Sequence, residues 1–150
     1  MSQTTQNNYY AQLKRSRWIT TLIFILILFF GSLFALRGNS GAVTVQVNDT
    51  MLGVIGTYGS ATFIPLEEIE ALQLIERLDV GTQVEGETTN DTHSGRYSNR
   101  EYGEYTLHIY TDKAPYILVQ YSGGNTLVFN LGRASLTDKT FEELQTAHGK

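Results

Sequence analysis

The sequence predicts a mainly β domain, a curled β-sheet or barrel with one C-terminal α-helix, preceded by a single N-terminal transmembrane helix. Three observations support this fold class. Short segments after residue 42 alternate apolar and polar residues with the period of two that half-buried strands show. Residues 18–36 form an uncharged apolar run. Residues 135–147 combine acidic first turns with an apolar face, as a helix does.

Composition limits the classes of function before any motif is considered. The 150 residues contain 11 Lys and Arg against 15 Asp and Glu, a formal net charge of -4. Residues 1–37 hold four basic and no acidic residues, so the rest of the chain is strongly acidic. Such a domain does not suit nucleic acid, because phosphate binding requires clustered Lys and Arg. The chain has no Cys, which excludes a disulfide framework, a thiol nucleophile and a Cys-based zinc site.

The apolar run at residues 18–36 (WITTLIFILILFFGSLFAL) predicts a membrane-spanning helix. At about 1.5 Å rise per residue it reaches roughly 28 Å, close to the hydrocarbon thickness of a bilayer. Lys14, Arg15 and Arg17 precede the run. Only Arg37 follows it closely. Because basic flanks stay cytoplasmic, we expect the N-terminus on the cytoplasmic side of the cell membrane and the C-terminal domain on its extracytoplasmic side.

The segments around this run complete the predicted organisation. They are a short cytoplasmic tail, a linker, the β domain and a terminal tail (residues 1–17, 37–41, 42–147 and 148–150). The lipid bilayer is a predicted partner through residues 18–36. A cleaved signal peptide is the alternative, since residues 40–42 (SGA) are small, as in a signal peptidase site. The run is longer than a usual signal core of about 7–15 residues, which favours an uncleaved anchor.

The first part of the domain predicts a hairpin and a third strand. Residues 43–47 alternate valine with polar side chains, residues 48–49 (ND) form a turn, and residues 51–57 continue as the second strand. Residues 62–64 resume extended structure before Pro65, which suits a strand edge or a kink.

The middle of the domain, residues 66–99, contains a segment that fits either a helix or a strand and a polar segment. The apolar spacing of residues 66–78 fits an amphipathic helix, while residues 69–75 also fit a strand after a short turn. Residues 79–99 are polar, rich in Gly and Thr, and lack an apolar repeat, so they predict a long loop.

The last part predicts three strands and the closing helix. Residues 104–110, 116–121 and 126–130 each place apolar side chains at alternate positions. Ser135 or Thr137 can serve as the N-cap of the helix at residues 135–147. One helix can cover the open end of a curled sheet.

Four stretches resemble the bacterial pleckstrin-homology-like (PH-like) domains of membrane-associated proteins. They are residues 53–72 (GVIGTYGSATFIPLEEIEAL), 94–110 (SGRYSNREYGEYTLHIY), 115–130 (PYILVQYSGGNTLVFN) and 137–145 (TDKTFEELQ). The shared features are a Tyr-Gly turn, a Pro-Leu-x-x-Ile step, a Gly-x-Tyr step and an Asn-terminated strand before the helix. The resemblance implies that residues 66–75 form a turn followed by a strand. It brings no catalytic residue to this chain.

The reactive residue types do not form a recognisable catalytic or metal motif. His93 falls in the predicted loop, His108 on the predicted outer face of a strand, and His148 near the end of the chain. None has the convergent partners that a zinc site needs. The carboxylate pairs, at residues 67–68, 85/87 and 142–143, have hydrophilic neighbours, whereas general acid–base catalysis needs a buried carboxylate with a raised pKa. The sequence also has no Gly-x-Ser-x-Gly elbow and no phosphate-binding loop. We therefore predict no catalytic residue, no metal and no cofactor.

Tyrosines of the strand region supply the candidates for ligand binding. Alternation places Tyr105 and Tyr121 in the core and leaves four others on the surface, namely Tyr97, Tyr102, Tyr110 and Tyr116. An exposed Tyr patch suits a protein or peptide partner. The predicted ligand-binding residues are Tyr97, Arg96, Arg100 and Tyr102.

Lipid phosphate is not an expected ligand. Pleckstrin-like domains in other settings bind lipid phosphates through a basic first hairpin turn. Here that turn, residues 48–50 (NDT), is acidic. We therefore do not expect phosphoinositide binding.

These observations together predict a membrane-anchored, non-catalytic PH-like binding or scaffolding module that contacts a protein or peptide at the extracytoplasmic face. One alternative is an accessory or sensor subunit of a membrane complex. Another is an enzyme whose site lies under the 79–100 loop and uses His93, Arg96 and Arg100.

Overall fold

The computed structural model describes residues 42–149, which form nine strands and one α-helix. The elements are β1 (Thr44–Val47), β2 (Met51–Ile55), β3 (Ala61–Pro65), β4 (Ile69–Ile75), β5 (Thr82–Thr88), β6 (Thr92–Asn99), β7 (Gly103–Tyr110), β8 (Tyr116–Tyr121), β9 (Asn125–Phe129) and α1 (Ala134–His148). Within this range, no helix has the length and apolarity needed to cross a membrane. The predicted tail, transmembrane helix and linker lie outside the described residues.

Strands β1, β2 and β3 form an antiparallel sheet, called here the small sheet. The predicted hairpin is confirmed, and its turn is stabilised by Asn48, whose Oδ1 accepts the N–H groups of Thr50 at 2.9 Å and Met51 at 2.8 Å. Leu52 pairs with Ile64 across β2 and β3, and both side chains are completely buried. The small sheet therefore turns one apolar face toward the core.

The other six strands form a second sheet, called here the large sheet, in the order β4-β8-β9-β7-β6-β5. Adjacent strands in this sheet pair antiparallel, except β7 and β9, which pair parallel. The three strands predicted near the C-terminus are confirmed as β7, β8 and β9. The two sheets form no closed barrel among the described residues, so the barrel prediction is wrong. Strand β3 does not pair with β4, because a 3-10 turn at Leu66–Glu68 separates them.

The ambiguous segment after Pro65 is this turn followed by β4, as the PH-like resemblance implied. The register of β4 against β8 shifts between Ile69 and Ala71. This bulge brings Leu72 to the same core as Ile69, although the two residues are three positions apart. A spacing of three that is typical of a helix is here produced by a bulged strand.

The prediction of a long loop at residues 79–99 is wrong, because most of this segment is the β5–β6 hairpin. All seven residues of β5 are exposed, so the strand lacks the apolar alternation that would reveal it. Gly86 and Gly95 face each other across the pair with φ of +123° and +137°. A Cβ on either glycine would collide with a carbonyl oxygen of the opposite strand, so both positions require glycine.

The large sheet buries apolar side chains on both faces. One core lies on the side of the small sheet and α1, and its buried members are Val43, Leu52, Val54, Ile64, Leu66, Ile69, Ile117, Val119, Leu127, Phe129 and Leu144. The second core lies on the opposite face and consists of Tyr97, Tyr105, Leu107, Ile109, Tyr116, Leu118 and Val128. Leu78 and Val80, from the connection between β4 and β5, pack against this second core.

Helix α1 confirms the predicted C-terminal helix and packs its Leu144 and Phe141 against the first core. Its N-cap is Arg133, which makes no side-chain capping hydrogen bond. The predicted capping role of Ser135 or Thr137 is therefore wrong. Thr137 is buried inside the first turns, where its Oγ1 accepts the N–H of Leu131 at 3.0 Å.

Candidate functional site

The most organised polar cluster lies buried between the two sheets. Ser94 of β6 and His108 of β7 are register partners, and the serine Oγ lies 2.6 Å from the histidine Nδ1. Ser60 Oγ lies 2.8 Å from Ser94 Oγ, and Thr62 Oγ1 lies 3.1 Å from His108 Nε2. These four residues are called here the His108 network. It joins the large sheet to β3 of the small sheet and to the turn before it.

His108 is uncharged at neutral pH in this environment. Its side chain is 1% exposed, and burial lowers the pKa of the imidazole from 6.5 to about 4. A neutral imidazole has one donor and one acceptor nitrogen, and each faces a hydroxyl that can take either role. Both ring nitrogens are therefore satisfied without a charge.

The His108 network pairs residue types that also occur in nucleophilic catalysis. A serine within hydrogen-bond distance of a histidine is the arrangement of an activated nucleophile. Here, however, Ser94 is 1% exposed, and the second nitrogen of His108 contacts a hydroxyl where a catalytic triad has a carboxylate. A Cβ at Gly56 would collide with both Ser94 Oγ and His108 Nδ1, so the chain closes tightly over the pair. This geometry favours a structural role that holds the two sheets together.

The network corrects one prediction from the sequence. Alternation assigns His108 to an outer strand face, because its neighbours Leu107 and Ile109 occupy the inner positions of β7. Since the large sheet is buried on both sides, His108 is buried as well, toward the small sheet. The hydroxyls that satisfy it come from residues 14 and 46 positions away, which no local pattern reveals.

Tyr97, the first predicted ligand-binding residue, is 2% exposed, so its surface placement is wrong. Its hydroxyl lies 2.7 Å from Thr88 Oγ1 and 3.2 Å from His93 Nδ1, and the His93 ring meets the tyrosine ring edge-on at 5.8 Å. Tyr116 is also buried, which contradicts its predicted exposure, whereas Tyr105 is in the core as predicted. These aromatic rings fill the second core.

Of the other predicted ligand-binding residues, Arg96 does not converge with Tyr97, whereas Tyr102 packs against the second core that contains Tyr97. Arg96 lies on the opposite face of β6, where Nη2 is 2.8 Å from Glu85 and Nη1 is 3.4 Å from Glu104. Tyr102 is half-buried and meets Tyr105 edge-on at 5.6 Å. Burial, with a hydrogen bond to Glu101 and its charge, raises the pKa of Tyr102 to about 12.

The residues of the alternative enzyme hypothesis are equally dispersed. His93 and Arg96 fall on opposite faces of β6, and Arg100 is exposed in the turn that follows. The segment expected to fold over them is itself the β5–β6 hairpin. In the described part of the chain, no group of three or more His, Cys, Asp or Glu residues could hold a metal ion.

An open groove of about 440 Å³ separates the β1–β2 turn from the last turns of α1. Its lining residues are Val47, Asn48, Asp49, Lys139, Glu142, Glu143, Thr146 and Ala147. Lys139 lies 3.5 Å from Glu143, one turn away on the same helix. Six of the eight lining residues are polar or charged, and three of these six are acidic.

The two edges of the large sheet differ in their chemistry. At one edge, β5 carries Glu85 and Glu87, its register shifts after Gln83, and Gln83 Nε2 donates to the Gly86 carbonyl at 2.7 Å. At the other edge, β8 is the one described strand that pairs with β4, and residues 71–75 (ALQLI) of β4 carry no charge.

Within residues 42–149, no strand pairs with the outer side of β4. Leu72 is half-buried against the first core, and Leu74 is 38% exposed. His148 at the end of α1 donates from Nε2 to the Ile69 carbonyl at 2.9 Å, which marks the start of the open part. Sequence reasoning missed this edge, although the uncharged run between Glu70 and Glu76 could have indicated it.

Comparisons with known proteins identify no relative of this chain. No family model, no curated protein and no solved structure matches it. The resemblance to PH-like domains therefore stays a prediction, and the proposals that follow depend on this chain's own residues.

Proposed function

We propose that the chain is a membrane-anchored, non-catalytic PH-like binding module that contacts a protein or peptide at the extracytoplasmic face. Residues 18–36 are the proposed anchor. The observation that carries the binding role is the edge of β4, where residues 71–75 are uncharged and, among the described residues, pair on one side only. An extended apolar edge of this kind is a template for an additional strand.

The proposed mode of binding is strand addition. An extended peptide pairs with the outer N–H and C=O groups of β4, and its main chain supplies most of the affinity. Five residues of β4 correspond to about 17 Å of strand. Alternate peptide side chains would meet Leu72 and Leu74 on one face and Ala71 and Ile75 on the other.

The charges beside this edge favour a particular peptide chemistry. Glu70 precedes the apolar run and is exposed, and Glu76 follows it and is exposed as well. Opposite charges across an interface steer association and select partners. Because exposed Arg77 adjoins Glu76, the peptide that fits best has an apolar, extended centre and a basic residue at the end that meets Glu70.

Site-specific photo-crosslinking in intact cells tests the proposed edge. Gln73 on β4 and Gln83 on β5 are both exposed glutamines on edge strands, so they provide matched positions for a photoreactive amino acid in the full chain. We expect a discrete crosslinked product from position 73 and none from position 83. The substitution Leu74→Lys should abolish the product from position 73, while Val84→Lys on β5 leaves it unchanged.

Two results of this experiment would contradict the proposal. Equal products from positions 73 and 83 would indicate unspecific crosslinking, and a product that survives Leu74→Lys would mean that β4 is not the binding edge. A C-terminal tag in the same cells tests the topology separately. External protease should remove the tag from intact cells if the domain is extracytoplasmic.

A further inference from the structure

The outer face of the small sheet is an exposed surface without charge. The register places eight residues on it in three rows, Thr44 with Ile55 and Ala61, Gln46 with Gly53 and Phe63, and Met51 with Pro65. Five of the eight are apolar side chains larger than glycine, and none carries a charge. This face points away from both cores, so folding of the described residues leaves it uncovered.

Phe63 is the centre of this face. Its side chain is 59% exposed, the largest value among the large apolar residues of the described part. Gly53 opposite it is buried, because the phenylalanine ring covers it, and a Cβ there would approach Phe63 Cδ1 to 3.1 Å. Met51, at the end of the same face, is 38% exposed. The face is therefore flat and apolar, with an aromatic ring lying on it.

The absence of charge on this face contrasts with the rest of the domain. Five of the 11 Lys and Arg lie outside residues 42–149, so the described part carries six against fifteen Asp and Glu. Between residues 42 and 66, Asp49 is the one charged residue, and it sits in the β1–β2 turn. An anionic lipid surface repels an acidic domain, so only an uncharged face can approach it without cost.

The position of this face in the chain indicates what covers it. Residues 37–43 alone separate the apolar run from β1, and seven residues span at most about 25 Å. The chain enters the small sheet at Thr44, beside Ile55 and Ala61 and far from the acidic β1–β2 turn. We infer that the outer face of the small sheet lies against the lipid surface of the membrane that holds the anchor.

This inference rests on the proposed anchor and adds an orientation to it. Met51, Ile55 and Phe63 enter the headgroup region, as apolar and aromatic side chains of membrane-surface proteins do. The small sheet then faces the bilayer, and the large sheet with its β4 edge faces away from it. The inference is that lipid contacts this face. A second copy of the chain bound to the same face would contradict it.

Fluorescence quenching on the full chain tests the inference. Because the chain has no Cys, Ala61→Cys and Val84→Cys each provide a unique attachment point for an environment-sensitive dye. Ala61 is exposed on the proposed face beside Phe63, and Val84 is 46% exposed on β5 of the large sheet. The proteins are reconstituted in vesicles of phosphatidylcholine and phosphatidylglycerol that contain a lipid with a nitroxide headgroup.

We expect the lipid quencher to reduce the emission at position 61 several-fold more than at position 84. Iodide in solution should show the reverse order. Adding Phe63→Ser to the Ala61→Cys protein should lower the lipid quenching toward that of position 84. Leu136→Ser, which removes an exposed apolar side chain from α1, should leave it unchanged.

The remaining outcomes separate this inference from the proposed function. Vesicle-bound protein with equal quenching at both positions overturns the orientation and leaves the anchor intact. A dye at position 61 that is shielded from iodide but not quenched by lipid shows a protein on this face, which also overturns the inference. Protein that stays in solution overturns the anchor and the orientation together.

Discussion

The two edges of the large sheet illustrate how differently one sheet can end. Strand β5 is fully exposed, bulged and acidic, and the Gln83 side chain bonds back onto its own strand. Strand β4 is half-buried and uncharged over residues 71–75. Charges and bulges prevent edge-to-edge pairing, and their absence permits it. The comparison indicates that β5 is protected against additional strands and that β4 is available to them.

Acid should loosen the contact between the small sheet and strands β6 and β7 of the large sheet, and this gives the largest expected effect. The native state keeps His108 neutral down to about pH 4, whereas the unfolded chain binds a proton near pH 6.5. The contribution of the neutral His108 to the free energy of unfolding is fully present above pH 6.5. It is lost as the pH falls toward 4, because the unfolded chain then binds a proton that the native state does not, and the total loss is about 3 kcal/mol. Hydrogen exchange at pH 4 should therefore increase more in β6 and β7, which carry the His108 network, than in β4 and β8.

The variant His108→Asn provides the control for this prediction. It removes the titrating group, so the free energy of unfolding should change less between pH 6.5 and 4 than in the native chain. An identical pH dependence in both proteins would exclude His108 as the cause. Equal exchange in β4 and β6 at pH 4 would show that the sheet opens as one unit.

A side chain at Gly86 or Gly95, in the β5–β6 hairpin, should destabilise the protein more than a side chain at a glycine of an open turn. Gly95→Ala forces a side chain into the left-handed region at φ +137° and against the Glu85 carbonyl, so we expect a loss of about 2 kcal/mol or more. Gly103→Ala is the control, because Gly103 also has positive φ but a Cβ added there would meet no atom within 4 Å. It should cost only about 1 kcal/mol.

Thermal unfolding of the full chain in detergent compares these two variants. Equal losses would mean that the close approach of β5 and β6 adds nothing to the backbone strain. Hydrogen exchange should also localise the effect of Gly95→Ala to the β5–β6 hairpin, with β4 unchanged.

The ion pairs at the β5 edge should give the smallest effect. Arg96 is paired with Glu85 and Glu104, but its side chain is 54% exposed, so solvent screens both interactions. Arg96→Gln should cost less than about 1 kcal/mol, measured by chemical unfolding, and less again at high salt. A loss above that of Gly95→Ala would show that the charges, not the glycines, stabilise this edge.

The sequence predicts the strands whose apolar side chains recur at every second position, and it fails where that alternation is absent. Residues 43–47, 104–110 and 116–121 alternate, and each contains a strand. Strand β5 has both faces in water, so no alternation marks it. On β7, Leu107 and His108 are both buried, because the large sheet is covered on both sides. Strand alternation assumes that one face of the sheet is exposed to solvent, so it wrongly assigns His108 to the surface.

The candidate sites depend on topology more than on local pattern. The His108 network combines Ser60 and Thr62 with Ser94 and His108, and only the packing of the two sheets brings them together. The edge position of β4 follows from strand order, since β4 is the first strand of the large sheet while the preceding β3 belongs to the small sheet. Neither fact can be derived from spacing along the chain.

The strand order also constrains how the domain is made. Strand β9 lies between β8 and β7, so it alone links the β4–β8 pair to the β5–β6–β7 group. It is the last of the described strands to leave the ribosome, at residues 125–129. Until then a growing chain holds two unconnected halves with apolar surfaces exposed, a condition that favours aggregation. Completion of the large sheet therefore awaits the synthesis of β9, and a chaperone that shields the earlier strands would have its effect in that interval.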